Sequence, residues 1–213
     1  MTPRNIYVVD DHPLIRKGLC HAINAEADLR VCGESASCRE TLHDLQTQTP
    51  DVLVLDLSLS DGNGWRLMQQ LRAQGNLPPT LILSVCDEEI YAKRLLQDGA
   101  RGYLMKDEPI PAVLAAIRKI LAGHLAFSDH MVARMLQPEN APSVQLMDHL
   151  SNRELQVYGL LGQEMGNKAI AARLGISPKT IGTYKSRLRV KLDLRTTHDL
   201  LEHARGGYLG DQV

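Results

Sequence analysis

The chain has 213 residues, enough for two domains with cores of their own, and its 44% hydrophobic and 23% charged content is that of a globular protein. No stretch approaches the ~20 apolar residues of a membrane helix. The start, "MTPRNIYVVDD", lacks the apolar centre of a secretory signal, so a cytoplasmic protein with no membrane partner is expected.

The net charge of −1 conceals a split. Residues 1–127 carry 13 Lys and Arg against 16 Asp and Glu, whereas residues 148–213 carry 10 against 7. Within Lys179 to Arg195 six basic residues meet one acidic residue, Asp193. Such asymmetry hints that the C-terminal half meets an anion. The cysteines, Cys20, Cys32, Cys38 and Cys86, show no CxxC spacing and read as scattered thiols rather than a disulfide framework.

In chain order, "NIYVVD", "LRVCGES", "DVLVLDL", "TLILSV" and "GYLMK" read as buried strands from their aliphatic and β-branched runs. Helical patterns alternate with them over Leu14–Ala25, Cys38–Gln48, Trp65–Ala73, Glu88–Gln97 and Pro109–Ala122. This alternation predicts an α/β domain over residues 1–125, a doubly wound, five-stranded parallel sheet of flavodoxin-like order. Residues 126–147, punctuated by Pro138, Asn140 and Pro142, read as a linker, helical in part from Asp129 to Leu136 and long enough to let two domains separate. From residue 148 to 213 the pattern is all-α. Ser151 with Glu154 makes a capping box, Gly175 closes a second helix, and Ser177-Pro178 opens a basic third. "TTHDLLEHA" is a fourth helix.

Ligands of a doubly wound sheet bind beyond the carboxyl ends of its strands. There the first strand delivers Asp10 and Asp11, the third Asp56, the fourth Ser84 and the fifth Lys106. Two adjacent carboxylates repel, and each makes the other harder to ionise. Three gathered carboxylates call for a hard cation, and Mg2+ suits oxygen ligands shared with a phosphoryl group. With Asp10 and Asp11 holding the ion, Asp56 is left as a nucleophile that forms an acyl phosphate. Lys106 would pair with one phosphoryl oxygen and Ser84 would donate a hydrogen bond to another. "DGNGWR" lacks the third glycine of a dinucleotide fingerprint, and the histidines form no HExxH or Cys/His zinc spacing.

These residues, in order and spacing, resemble the receiver domain of two-component response regulators, and "VVDDHPLIRKGL" resembles the NarL/FixJ branch with a LuxR-type output domain. The resemblance implies Asp56 as phosphoacceptor, with Lys106 and Ser84 in the catalytic pocket. It also implies a Mg2+ site of Asp10, Asp11, Asp56 and the Ser58 backbone carbonyl, and a sensor histidine kinase as partner. It makes Ser84 and Tyr103 the switch pair, although Tyr103 reads equally well as a half-buried strand aromatic. Leu59-Ser60 stands where the family usually has Met-Pro, and Asp107 rather than proline follows the lysine.

"LSNRELQVYGLLGQEMGNKAIAARLGISPKTIGTYKSRLRVKLDL" resembles the LuxR-type DNA-binding domain along its whole length. The resemblance implies that the third helix enters the major groove of DNA. Thr183 and Ser186 then face bases, with Lys179, Thr180, Lys185 and Arg187 near the backbone or groove edge. Gly182 holds a base-facing position without a side chain, and Ala169 stands where the family commonly has Glu. Leu200 and Leu201 lie on a helix that resembles the family's dimerisation helix; core packing is the other reading. The expectation is a phosphorylation-controlled, dimerising transcription regulator that is not an enzyme beyond weak self-dephosphorylation. One rival is an aspartate-nucleophile phosphatase, which needs an acid/base carboxylate where this chain has Ser58. The other is a DNA-binding regulator that acts without phosphorylation.

Overall fold

The computed structural model describes residues 2–84, 94–128, 131–132 and 150–209. It divides into two compact units, Met1–Leu136 and Gln137–Val213.

The first unit holds the expected sheet. Strands β1 (Arg4–Val9), β2 (Leu29–Ser35), β3 (Val52–Asp56), β4 (Thr80–Ser84) and β5 (Ala100–Met105) lie in the order β2-β1-β3-β4-β5. Every pairing is parallel. Helices α1 (Pro13–Asn24), α2 (Cys38–Asp44) and α3 (Gly64–Ala73) connect β1, β2, β3 and β4 in turn, and α4 (Ile110–Leu121) follows β5. Strands β3 and β4 are buried at every position, which is why they read as continuous apolar runs rather than alternating ones. Ile6, Val8, Val54, Leu81 and Leu83 pack with Leu19 and Ile23 of α1 and Val113 and Ile117 of α4 in one core.

Local chemistry sets the helix starts. Ser37 accepts from the Glu40 amide at the head of α2, and Asn63 accepts from Trp65 and Arg66 at the head of α3. Helix α1 opens on Pro13, with His12 in the cap position but making no side-chain cap. Helix α2 stops at Asp44, short of the expected Gln48, because turn bonds such as Gln46 N–H to His43 O take over. Of the helix expected over Glu88–Gln97, residues 94–97 are helical. The remainder, with Cys86, lies outside the described residues.

Past α4 the chain returns to the sheet. Ala126 forms a parallel bridge with Gly102 of β5, its amide donating to Arg101 O and its carbonyl accepting from Tyr103 N–H. Ala126 and Phe127 are buried, as is Met131, whose amide donates to Ser128 Oγ. The first residues of the linker expected over residues 126–147 are thus ordered against this unit, Ala126 pairing by its backbone with the β5 edge. Of the helix expected over Asp129–Leu136, residues 131–132 are helical and the rest lies outside the described residues.

The second unit contains α5 (Asn152–Gly162), α6 (Asn167–Arg173), α7 (Pro178–Lys191) and α8 (Thr197–Leu209). The capping box forms as expected: Ser151 Oγ accepts from Glu154 N–H, and Glu154 accepts from the Ser151 amide. Gly175, at φ +64, turns the chain between α6 and α7, with Ile176 N–H donating to Ala171 O. Ile170, Ile181, Leu188 and Leu200 form the fully buried centre.

Candidate functional site

The parallel register brings the strand ends level. Val9 pairs with Leu55, Asp56 with Leu83, and Ser84 with Met105, so the residues at or just past those ends share one edge. Asp10 and Asp56 are each 1% exposed and Ser84 is fully buried. Lys106 reaches in from the end of β5, its Nζ 2.7 Å from both Asp10 Oδ2 and Asp56 Oδ2. Its amide donates to Ser84 O, fixing the turn that aims the side chain.

Asp56 Oδ1 accepts from the Ser58 amide at 2.9 Å, which holds the carboxylate at the end of β3. Burial pushes the Asp56 carboxyl above its ordinary range; Lys106 opposes that shift and Asp10 adds to it. A carboxylate kept ionised here depends on positive charge beside it. Asp10 Oδ1 accepts from the His12 amide at 2.8 Å, and Arg16 donates to Asp10 O. Asp10 Oδ2 faces Lys106 Nζ at 2.7 Å, and Asp11 Oδ1 faces His12 Nδ1 at 2.9 Å. Ligand atoms of Asp10, Asp11, His12 and Asp56 all lie within 4.8 Å of one another. Three carboxylates gathered this closely fit a divalent cation.

Of the residues expected in this pocket, Asp10, Asp11, Asp56 and Lys106 come together, with Ser58 hydrogen-bonded to Asp56 and Ser84 at the adjoining strand end. Tyr103, read as switch or half-buried aromatic, is 2% exposed and stands inside the fold. Two contributors escaped the sequence reading. His12 was passed over because it belongs to no zinc spacing; its place directly after the acid pair was the available signal. Gly64 was set aside with the failed dinucleotide fingerprint. A Cβ there would fall onto the Asp56 carbonyl oxygen, so only glycine lets α3 start against the strand end that carries Asp56.

In the second unit, α7 buries Ile181 and Leu188 and exposes Lys179, Thr183, Ser186, Arg187 and Val190 along one face. Thr183 and Ser186 donate back to the helix carbonyls of Lys179 and Gly182. Thr180 is shared with the cap, its hydroxyl 2.7 Å from Ser177 Oγ. Lys185 is half-buried, and burial lowers its ammonium below the ordinary lysine range. Arg187 lies 5.9 Å over the Tyr184 ring. A Cβ at Gly182 would stand in open space outside its own helix. Of the pair expected to dimerise, Leu200 is fully buried in the core of its own unit and Leu201 is partly exposed.

Residues 6–118 match the response regulator receiver domain family, and residues 148–204 match the bacterial regulatory proteins of the luxR family. The oxygen regulatory protein NreC of Staphylococcus haemolyticus (strain JCSC1435) is 31% identical over 208 residues, covering 93% of this chain and 95% of that protein. A two-component response regulator of the LuxR family from Aurantimonas sp. SI85-9A1 superposes with a TM-score of 0.58 at 28% identity, over 63% of this chain and 96% of its own. ChrA, the response regulator of a heme-sensing two-component system, gives 0.51 at 27% identity over 98% of this chain and 100% of its own. With the acidic pocket at the strand ends and the basic helix α7, these likenesses identify the chain as a two-component response regulator of the NarL/FixJ type, a receiver domain followed by a LuxR-type DNA-binding domain.

Proposed function

We propose that Asp56 is the phosphoacceptor and that its phosphorylation controls dimerisation and sequence-specific DNA binding by α7. The observation that carries this reading is the buried Asp56 carboxylate with Lys106 Nζ 2.7 Å away, shared with Asp10. An Asp56 oxygen attacks phosphorus; the bond from phosphorus to the donor breaks and the donor leaves with its electron pair. Lys106, already in place, pairs with the charge that develops on the phosphoryl oxygens, and Ser84 turns its hydroxyl toward them. Asp10, Asp11, Asp56 and the Ser58 carbonyl would hold Mg2+, which when bound neutralises phosphoryl charge. A sensor histidine kinase is the donor that suits this pocket. A groove of about 350 Å3 lined by Leu14, Ile15, Ile110 and Lys106 supports a protein donor, since Lys106 belongs to both groove and pocket.

On α7, the exposed line of Lys179, Thr183, Ser186 and Arg187 is the surface offered to the groove, and half-buried Lys185 sits at its margin. Phosphorylation shifts the population toward a dimer and creates no DNA contact itself. The test is incorporation of phosphate from acetyl phosphate. The expected result is acid- and base-labile labelling of the native chain that requires Mg2+ and is absent from Asp56→Asn. Full labelling of Asp56→Asn would overturn the assignment.

A further inference from the structure

We propose that Asp61 is a positioning residue for phosphoryl transfer: it fastens the turn after β3 to the head of α2 and thereby holds Ser58, and through Ser58 the Asp56 carboxylate, in place. The proposal rests on Asp56 being the phosphoacceptor.

The chain between β3 and α3 turns once. Gly62 N–H donates to Leu59 O at 3.3 Å, which makes Leu59 to Gly62 a four-residue turn with Ser60 and Asp61 at its centre. Leu57 and Leu59 are buried, whereas Ser60 and Asp61 are exposed. The Asp61 side chain nevertheless has a fixed place. Its Oδ1 accepts from the Cys38 amide at 2.9 Å and its Oδ2 from the Arg39 amide at 3.3 Å, 23 and 22 residues away in the chain. Amides of a first helical turn have no partner inside their own helix, and a carboxylate suits them. The approach is close: a Cβ at Gly62 would fall 2.8 Å from Cys38 Sγ. Burial, with Asp61 adding to it, pushes the Cys38 thiol up to about 12, so a neutral group faces the carboxylate.

Ser58 stands between the two buried leucines. Its amide donates to Asp56 Oδ1 at 2.9 Å, and Asp56 Oδ2 faces Lys106 Nζ at 2.7 Å. Transfer needs that carboxylate aimed at phosphorus as the new oxygen–phosphorus bond forms and the donor leaves with its electron pair. The leucines anchor the two sides of Ser58, but a long turn bond with no proline in the turn restrains it weakly. The bonds from α2 to Asp61 supply the missing restraint. The cap of α2 itself offers the control. Ser37 Oγ accepts from the Glu40 amide at 3.1 Å, at the same helix head but bonding within α2 rather than to the turn.

Labelling rates with acetyl phosphate, measured on the full chain, separate positioning from capping. Asp61→Ala should slow labelling at saturating donor by about 10-fold, short of the ~100-fold that a misplacement of about 1 Å can cost. Asp61→Asn, which keeps one acceptor oxygen, should fall between. Ser60→Pro fixes φ at the second position of the turn, where proline is favoured, and should restore most of the rate lost in Asp61→Ala. Ser37→Ala should leave the rate unchanged. Unfolding followed by the fluorescence of Trp65, the single tryptophan, reports the fold of each variant. A native rate in Asp61→Ala, equal slowing in Ser37→Ala, or no rescue by Ser60→Pro overturns the positioning role while leaving the phosphoacceptor in place. Labelling that survives Asp56→Asn overturns both, because the carboxylate held by Ser58 would then take no phosphoryl group.

Discussion

Gly64 governs the pocket without touching a ligand. Its amide donates to Leu57 O, and its missing side chain leaves room for the Asp56 carbonyl. Backbone cannot yield as a side-chain tip can, so Gly64→Ala must push α3 away from the end of β3. A loss of about 1–3 kcal/mol is expected for such overpacking. Acetyl phosphate should also label Asp56 more slowly, because the carboxylate shifts relative to Lys106. Chemical denaturation with labelling kinetics checks both; unchanged labelling in a destabilised variant would detach Gly64 from the chemistry. Asp10, Asp11, Asp56 and Lys106 were legible in the sequence because each ends an apolar run, and the topology of a parallel sheet gathers such ends. Gly64 and His12 were not, because their roles depend on how close a loop passes to a strand end, a distance that residue type does not encode.

Among the elements, an ion pair ties the C-terminal end of α7 to the start of α5. Lys191 Nζ lies 2.7 Å from Glu154 Oε2, which also accepts from the Ser151 amide and hydroxyl at the start of α5. Burial alone would raise the Glu154 carboxyl, but the hydrogen bonds from Lys191 and Ser151 outweigh it and hold it below the ordinary glutamate range. A depressed carboxyl stabilises the fold above that ordinary range and loses its contribution as pH falls through the folded value. Glu154→Gln should therefore weaken the C-terminal unit near neutral pH by about 1–3 kcal/mol, and the gap from the native chain should close on acidification. Scanning calorimetry from pH 7 down to pH 4 tests this; a gap independent of pH would mean that the charge on Glu154 contributes nothing. The two halves of this contact differ in legibility. The capping box was readable from Ser151 and Glu154 at their spacing. Lys191 was counted only as one more basic residue in a DNA-facing cluster, since a charge does not announce whether it meets solvent, phosphate or a buried carboxylate.

At the scale of the whole molecule, receiver and DNA-binding unit each carry their own core, and coupling between them is proposed to run through association of two chains. Phosphorylation should then give a larger species on sedimentation and tighter binding to DNA with two half-sites about one helical turn apart. A single half-site should gain almost nothing. Gain on a single half-site by a chain that stays monomeric would sink the dimer reading. The order of the sheet was legible from the alternation of strand and helix, whereas the end of the receiver was not. A lone bridge at Ala126 has no periodicity to announce it. That bridge also bears on how the receiver can be isolated. β5 is the last strand of its sheet, and Ala126 occupies the Tyr103 amide and the Arg101 carbonyl on its outer side. A receiver cut at residue 124 would bare that edge as a template for another strand and should self-associate without any phosphoryl donor, imitating activation. A receiver cut after Leu136 keeps the edge covered and should sediment as a monomer until it is phosphorylated.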